Sequence, residues 1–512
     1  MKKNIAIYLY ICILGFLISS CNFDDKSSLE VTPISDINID TTGIPFTTYM
    51  TSGDELLIQP KASRPGVDES NLSYEWWITD KPGSDFTSKI VLSTEKELRV
   101  TIKDLMPSPE FYSLWYRVTD KTTKLMQGVI FQIVIDLPLK QGLVVADSEN
   151  GLTSDLSYIQ DTLFTEGWIN KDTKAALPTS YIRNEYSRVN QKQFSGIIHS
   201  LFAQSAYQNG VIRNFLHGAS KIDIFRLNTF DYKIVAEGKD LFYNSSVNLN
   251  IDTYFKNSSS VFLVNGGKIS TRRSEYTDVV TYYRFGLDVP GNYTASDKIA
   301  HHPTTLTSAL FYDEALGKFF KGGISVNVSS SPQVAPTATS PFNPANMPGY
   351  SVISSGIGNF SESRFIMKKD NVYSLFCLNN FSGSAIRKLD ISDAPEIEKA
   401  VDFVFPNNQA VIYYATANKI YSIRIPVGSN PTYTALYTSP FPITHLEMLR
   451  RSGSKDVKYS EKVLLSITYD GSQGRITTFP IPESGMDLGL IDVSRSTTFG
   501  GFKKISAVAI QE

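Results

Sequence analysis

Residues 410–425 read AVIYYATANKIYSIRI, and the fold is decided by what this stretch is and how often it recurs. Ala410–Ala415 and Lys419–Ile425 are runs of β-branched and aromatic residues, which suit a pleated surface packed against neighbours. A short turn joins them, so the stretch predicts a β-hairpin. Lys462–Thr468 with Arg475–Ile481 repeats the element downstream. Upstream it recurs as Ser363–Met367 with Val372–Leu378, Ala309–Tyr312 with Lys318–Ser325, and Ser260–Val264 with Lys268–Arg272. Val211–Leu216 with Lys221–Leu227 and Gly142–Ala146 with Asp155–Ile159 complete the series. Turns such as Asn265-Gly266-Gly267 and Asp470-Gly471-Ser472 supply residues that tolerate positive φ.

Seven hairpins spaced by about 50 residues, the first gap being longer, predict radial sheets around an axis, a seven-bladed β-propeller over 141–512. A third strand precedes the later hairpins, at Ala400–Phe405 and Ile443–Leu449. By that rule Lys504–Ile510 is an inner strand with no hairpin after it, and the hairpin at Gly142 lacks a strand before it. Pairing the two closes the ring and removes exposed sheet edges. A large two-sheet sandwich accounts less well for the even spacing. Ser329–Tyr350 interrupts the pattern with Pro332, Pro336, Pro341, Pro344, Pro348 and Gly349. It is expected to form no strand but a long rim loop, either a place where ligands are met or an idle insertion.

At 512 residues and 57.0 kDa the chain exceeds one ordinary core, and a second unit is expected over 46–138. Glu55–Gln59, Leu72–Ile78, Ser88–Ser93, Leu98–Ile102, Tyr112–Thr119 and Gln127–Asp136 are short strands divided by turn signals, which indicates an all-β sandwich. Strand alternation sends Trp76 and Trp77 to opposite faces, one of them as the core plug. Tyr74-Glu-Trp-Trp-Ile78 and Leu114-Trp-Tyr-Arg-Val-Thr-Asp120 resemble the central and late strands of a PKD-like, immunoglobulin-related domain. The glycine- and aspartate-rich turn of other versions is missing, which places the resemblance with the versions found in bacterial surface lipoproteins.

The first residues read as an export signal over 1–20: Lys2 and Lys3, then the apolar stretch Ile5–Ile18, then Ser19-Ser20-Cys21. This pattern resembles a lipobox, which implies cleavage after Ser20 and acylation of Cys21. The alternative, a membrane-spanning anchor, is disfavoured because a span needs about 20 apolar residues. Asp24 and Asp25 are similar to the signal that carries lipoproteins to the outer face of the outer membrane; the other reading is a solvated tether. Residues 21–45 are then the lipidated N-terminus and spacer. The whole arrangement resembles the PKD-like family of surface lipoproteins that accompany starch-utilisation-type uptake systems. That resemblance implies an outer-membrane location, an acyl anchor on Cys21, and a transporter with its lipoprotein partner as neighbours. It also implies an extracellular glycan or peptide as ligand.

The charges exclude one large class of partner. Forty-nine Lys and Arg against 51 Asp and Glu give a net charge of -2, without the basic footprint that nucleic acid requires. Cleavage before Cys21 would leave only Cys21 and Cys377, and Cys377 sits in the apolar run VYSLFCL, where a thiol acts as a small hydrophobe. The histidines are His199, His217, His301, His302 and His445, and none falls in a metalloprotease motif. His301-His302 could share a metal only from a loop, because neighbours on a strand point apart. Asp313-Glu314 reads as a solvated turn. Asp147, Glu149 and Asp155 flank the first hairpin turn, either as ordinary turn acids or as oxygen ligands for a cation. Trp168 and the doublets Tyr282-Tyr283, Tyr413-Tyr414 and Phe319-Phe320 could stack on sugars, although one ring of each doublet must face a sheet interface. No catalytic, cofactor or metal residue is assigned. The function expected is non-catalytic binding; the rivals are a propeller hydrolase or lyase using paired carboxylates, and a purely structural subunit.

Overall fold

The computed structural model describes residues 34–51, 55–79, 89–101, 112–136, 141–170, 173–208, 211–229, 231–257, 260–273, 284–301, 308–323, 329–330, 336–359, 362–450 and 460–511. Two compact units divide the chain, Met1–Ile135 and Asp136–Glu512.

In the first unit Thr47–Thr51, Met126–Asp136, Tyr112–Asp120, Leu72–Thr79 and Ile90–Ser93 form a five-stranded sheet in that order. Glu55–Ile58 pairs with Leu98–Thr101, and Asn38–Asp40 with Lys61–Ser63. Ile37, Leu56, Ala62, Trp76, Leu98, Tyr116 and Phe131 bring all three groups into one apolar core. Trp76 is the core plug: it is fully buried, stacks on Tyr116 at 4.2 Å, and its indole N–H donates to the Glu95 carbonyl at 3.0 Å. Trp77 takes the opposite face and stacks on Trp115 at 5.5 Å, with the Lys89 ammonium 4.4 Å from its ring. Strand alternation alone separates these adjacent residues.

The second unit is a succession of antiparallel sheets, seven among the described residues. Sheet 1 holds Ser180–Ile182, Thr153–Gln160, Gly142–Ser148 and Lys504–Gln511. Sheet 2 runs Ser200–Gln208, Val211–Ala219, Ile224–Asn228, Ile234–Glu237. Sheet 3 is Ile251–Lys256, Ser260–Asn265, Lys268–Arg273, and sheet 4 is Ile299–Ala300, Ser308–Asp313, Lys318–Gly323, Ser329–Ser330. Sheet 5 comprises Ser351–Gly358, Glu362–Lys369, Val372–Asn379 and Ala385–Asp390. Sheet 6 comprises Asp402–Val404, Val411–Ala415, Lys419–Arg424 and Thr432–Thr438. Sheet 7 ends the series with Ile443–Met448, Val463–Tyr469, Gly474–Pro480 and Thr497–Phe502.

Apolar cores between these sheets define their arrangement. Tyr158 of sheet 1 packs with Phe225 of sheet 2, Ile224 of sheet 2 with Leu263 of sheet 3, and Phe262 of sheet 3 with Phe320 of sheet 4. The series continues through Phe319 with Phe365, Cys377 with Tyr414, and Tyr413 with Leu464. It then returns to its start, because Ile467 and Phe499 of sheet 7 share a core with Leu143 and Ile159 of sheet 1. Sheets that each touch the one before and the one after, with the last touching the first, form a closed ring, and the fold is a β-propeller. Central strands covered on both faces read as continuous apolar runs, which is why the period of two was masked in them. Tyr413 and Tyr414 enter different cores, as do Phe319 and Phe320, so both rings of each doublet are packing residues.

The terminal strand seals the ring as its position in the sequence requires. Its register with the first hairpin runs from Gly142↔Gln511 to Ser148↔Lys504, with an irregularity between Ala146 and Asp147. Ala507 enters the core between sheets 1 and 2, while Ile505 and Val508 enter the core between sheets 7 and 1. Two side chains fix the strand ends: the buried Tyr232 hydroxyl donates to Gln511 Oε1 at 2.8 Å, and Asp147 Oδ2 accepts the Lys503 N–H at 2.8 Å.

One expectation is corrected. Ser329–Ser330, at the start of the Pro-rich segment, is a strand paired with Phe320–Lys321. Farther along, Met347, Phe342 and Tyr350 pack into the core between sheets 4 and 5, and Tyr312 donates its hydroxyl to the Met347 carbonyl. A few well-spaced apolar side chains anchor a segment whose overall composition is that of a loop.

Candidate functional site

The first strand of each sheet faces the ring centre, the terminal strand taking that place in sheet 1. These strands enclose a cavity of about 440 Å³, lined among others by Ala203, Thr253, Ile299, Gly356, Phe403, Leu446 and Val508, one from each sheet. Its charged side chains and histidines divide between two walls.

On sheets 6 and 7 the strand Ile443–Met448 buries Leu446 and Met448 in the intersheet core. Alternation turns His445 and Glu447 the other way. His445 Nδ1 pairs with Asp402 Oδ2 of the preceding sheet, and its Nε2 lies 3.7 Å from Glu447 Oε2. Asp402 Oδ2 also accepts the Leu446 N–H at 2.9 Å. Glu447 Oε1 accepts the Met448 N–H at 3.0 Å and lies 3.4 Å from Arg450 Nη1. Arg450 continues the network, with Nε donating to Glu461 Oε1 at 2.7 Å and Nη2 to the Phe405 carbonyl at 2.8 Å. Glu461 is fixed in turn, Oε2 accepting the Asn407 N–H at 3.1 Å and its carbonyl the Gln409 amide at 3.0 Å. Charges in a sheltered site persist only when paired and hydrogen-bonded in this manner. For His445, burial pulls the pKa down, but Asp402 and then Glu447 outweigh it and push the value up to about 10. The imidazole is therefore a cation at neutral pH. Of the network, Asp402, Glu447, His445 and Arg450 line the cavity and balance in charge, while Glu461 supports Arg450 from behind.

The other wall, on sheets 2 to 4, carries His199, Lys256 and His301. His199 Nδ1 lies 3.0 Å from Ser200 Oγ, and burial pushes its pKa down, so the ring is neutral. The His301 ring stacks on Phe255 at 4.0 Å. Lys256 ends the strand Ile251–Lys256.

The residues singled out in the sequence fall in several places. His301 reaches the cavity, whereas His302 lies outside the described residues, as do Tyr282-Tyr283 and residues 1–33 with Ser20 and Cys21. His217 is fully buried, its Nδ1 2.8 Å from the Tyr254 hydroxyl, and burial with nearby Arg272 holds its pKa well below the usual value. Asp313 is buried rather than solvated, a second correction. Its carboxylate accepts the Leu316 N–H at 2.9 Å and the Thr294 N–H at 2.7 Å, because the turn buries amides that need an acceptor. Glu314 stays exposed and accepts the Val352 N–H at 2.8 Å.

Asp147 and Asp155 oppose each other across the first hairpin, and burial raises the pKa of Asp147. Asp155 Oδ1 accepts the Leu156 and Ser187 N–H groups at 2.9 and 3.1 Å, while Glu149 pairs instead with Lys503 at 2.8 Å. Among the described residues no group of three or more His, Cys, Asp or Glu is placed to hold a metal ion. Trp168 donates its indole N–H to the Pro178 carbonyl at 3.0 Å. Cys377 is buried, which pushes its thiol up to about 11 and leaves it protonated at neutral pH. Among the described residues no helix is long and apolar enough to cross a membrane. The Asp402–His445–Glu447–Arg450–Glu461 network was not singled out in the sequence. Only the alternation of His445 and Glu447 hints at it, since their partners lie on another sheet or beyond the strand.

No family model matches the chain, and no curated protein matches it. Among solved structures it is similar to a quinonprotein alcohol dehydrogenase-like protein from Bacteroides thetaiotaomicron, at 11% identity and a TM-score of 0.40, over 93% of this chain and 99% of that one. It is also similar to Hsv2 of Kluyveromyces lactis, at 7% identity and a TM-score of 0.35, over 72% and 98% of the two chains. The Dos1 propeller is similar at 11% identity and a TM-score of 0.36, over 72% and 89%. Likenesses of this degree carry neither a family nor an activity across. The propeller fold of this chain stands on its own sheet order and intersheet cores.

Proposed function

We propose that this chain is a non-catalytic surface lipoprotein of the outer membrane, tethered through acyl chains on Cys21. In this reading the seven sheets are the seven blades of one propeller, and the first unit is a PKD-like, immunoglobulin-related domain. The propeller binds an extracellular glycan or peptide through its axial cavity, as an accessory to a starch-utilisation-type uptake system with its transporter and lipoprotein partner.

One observation carries the binding reading: the cavity's carboxylates are already engaged. Asp402 and Glu447 serve His445, Arg450 and backbone amides. Acid–base hydrolysis needs one carboxyl able to donate a proton and a second free to act as base or nucleophile. A fixed lattice of paired charges instead offers preorganised hydrogen-bonding positions to a polar ligand. The test is a glycan array and a peptide panel probed with the protein, followed by product analysis of every ligand retained. Retention without turnover is expected. Cleavage products would establish the hydrolase or lyase alternative, and retention of nothing would leave a structural subunit.

A further inference from the structure

From the gap between His445 Nε2 and Glu447 Oε2, we infer that the axial cavity grips its ligand by an uncharged hydroxyl group. It therefore takes neutral oligosaccharides in preference to peptides and to acidic glycans. This deepens the binding reading above and rests on it.

Most polar atoms of the Asp402–His445–Glu447 group have a hydrogen bond. Asp402 Oδ1 accepts the Phe403 N–H at 2.8 Å, and its Oδ2 accepts the Leu446 N–H at 2.9 Å and pairs with His445 Nδ1. Glu447 Oε1 accepts the Met448 N–H at 3.0 Å. His445 Nε2 and Glu447 Oε2 are the exceptions. They face each other at 3.7 Å, beyond hydrogen-bond reach, on half-buried side chains that line the cavity. An oxygen seated between them can lie about 2.8 Å from each. It must accept from the imidazolium N–H and donate to the carboxylate, which a hydroxyl does. A trans peptide unit does not, because its N–H and its carbonyl point in opposite directions.

Charge narrows the choice further. A carboxylate drawn to His445 comes up against Glu447, and an ammonium drawn to Glu447 comes up against the imidazolium. Each is repelled by one side of the gap while the other attracts it. Asp402 and Glu447 balance His445 and Arg450 in this part of the lining, so no surplus charge there favours either sign. A hydroxyl meets no such conflict, and hydrogen bonds to ionised partners are roughly twice as strong as neutral ones. A saccharide offers such a group on every ring, a peptide only at Ser, Thr or Tyr. The cavity of about 440 Å³ lies within the size range of pockets that enclose small ligands, about 300–1,000 Å³. Ala203, Ile299 and Val508 add apolar surface for the C–H faces of a sugar ring.

The test is calorimetric titration of the full-length protein in detergent with four neutral trisaccharides (maltotriose, cellotriose, mannotriose, galactotriose), with trigalacturonate and with trialanine. At least one neutral trisaccharide is expected to bind, and the two charged ligands to bind at least about tenfold more weakly, since like charges placed together are costly. Glu447→Gln removes the repulsion from one side of the gap, so trigalacturonate should bind this variant about tenfold or more tightly than it binds the unaltered protein. A misfolded variant cannot show that gain, and the ranking of ligands on the unaltered protein stands without it. Trigalacturonate or trialanine binding the unaltered protein as tightly as the best neutral trisaccharide would overturn the inference, although the wider binding reading would survive. So would a folded Glu447→Gln variant that shows no gain, or binding of none of the six. Retention of nothing on the glycan array and peptide panel as well would remove both.

Discussion

His445 shows how one residue takes its chemistry from two sheets. Asp402 on sheet 6 and Glu447 on its own strand hold the imidazolium, against a burial effect that alone would discharge it. The folded-state pKa of about 10 lies above the ordinary value of 6.5, so the stabilisation is complete below about pH 6.5 and is lost as pH rises through about 10. The melting-temperature advantage of the native protein over His445→Gln should accordingly shrink steadily across that window. The His445 ring resonances should not titrate between pH 5 and 8, and Asp402→Asn should bring their titration down into that range. At the core of the first unit, Trp76→Ala removes a fully buried ring and should cost about 3–5 kcal/mol in urea unfolding. Trp76 was legible because strand alternation is local. The His445 network was not, since a sequence shows which residues share a strand face and not which strands become neighbours across an axis.

At the scale of elements, the strand Lys504–Gln511 contributes to two cores and completes sheet 1. Deleting the last ten residues should open the ring. The expected signs are a lowered and broadened thermal transition and binding of an apolar dye. A finer probe is Gln511→Ala, which strips the acceptor from the buried Tyr232 hydroxyl and should cost about 1–3 kcal/mol. The hairpins and the closing strand could be read from the sequence because both faces of the central strands are buried and therefore apolar. The outer strands could not. Ala385–Asp390 alternates half-buried and exposed residues, and every residue of Thr432–Thr438 is exposed or half-buried, so neither carries a continuous apolar signal. Asp313 was misread for a related reason: an acid in a turn is solvated by default, and only the packing around that turn reveals amides in need of an acceptor.

The whole molecule joins two units, each with its own core. Residues 141–512 produced alone should fold and melt as they do in the full chain, and calorimetry of the full chain should resolve a separate transition for the first unit. If Cys21 carries the acyl anchor proposed above, Cys21→Ala should abolish incorporation of labelled fatty acid without altering either transition. The composition made two units and an all-β chain legible, yet the cavity emerges only when residues scattered between His199 and Ile510 converge on one axis.

The register Gly142↔Gln511 pairs two strands that the other six sheets separate along the chain. Until Lys504–Gln511 docks, Gly142–Ser148 keeps one edge of unpaired backbone, whatever the order in which the other sheets form. A chain cut short before that strand would thus bear a ready template for a stranger's strand, and unsealed copies must be kept apart until the ring closes.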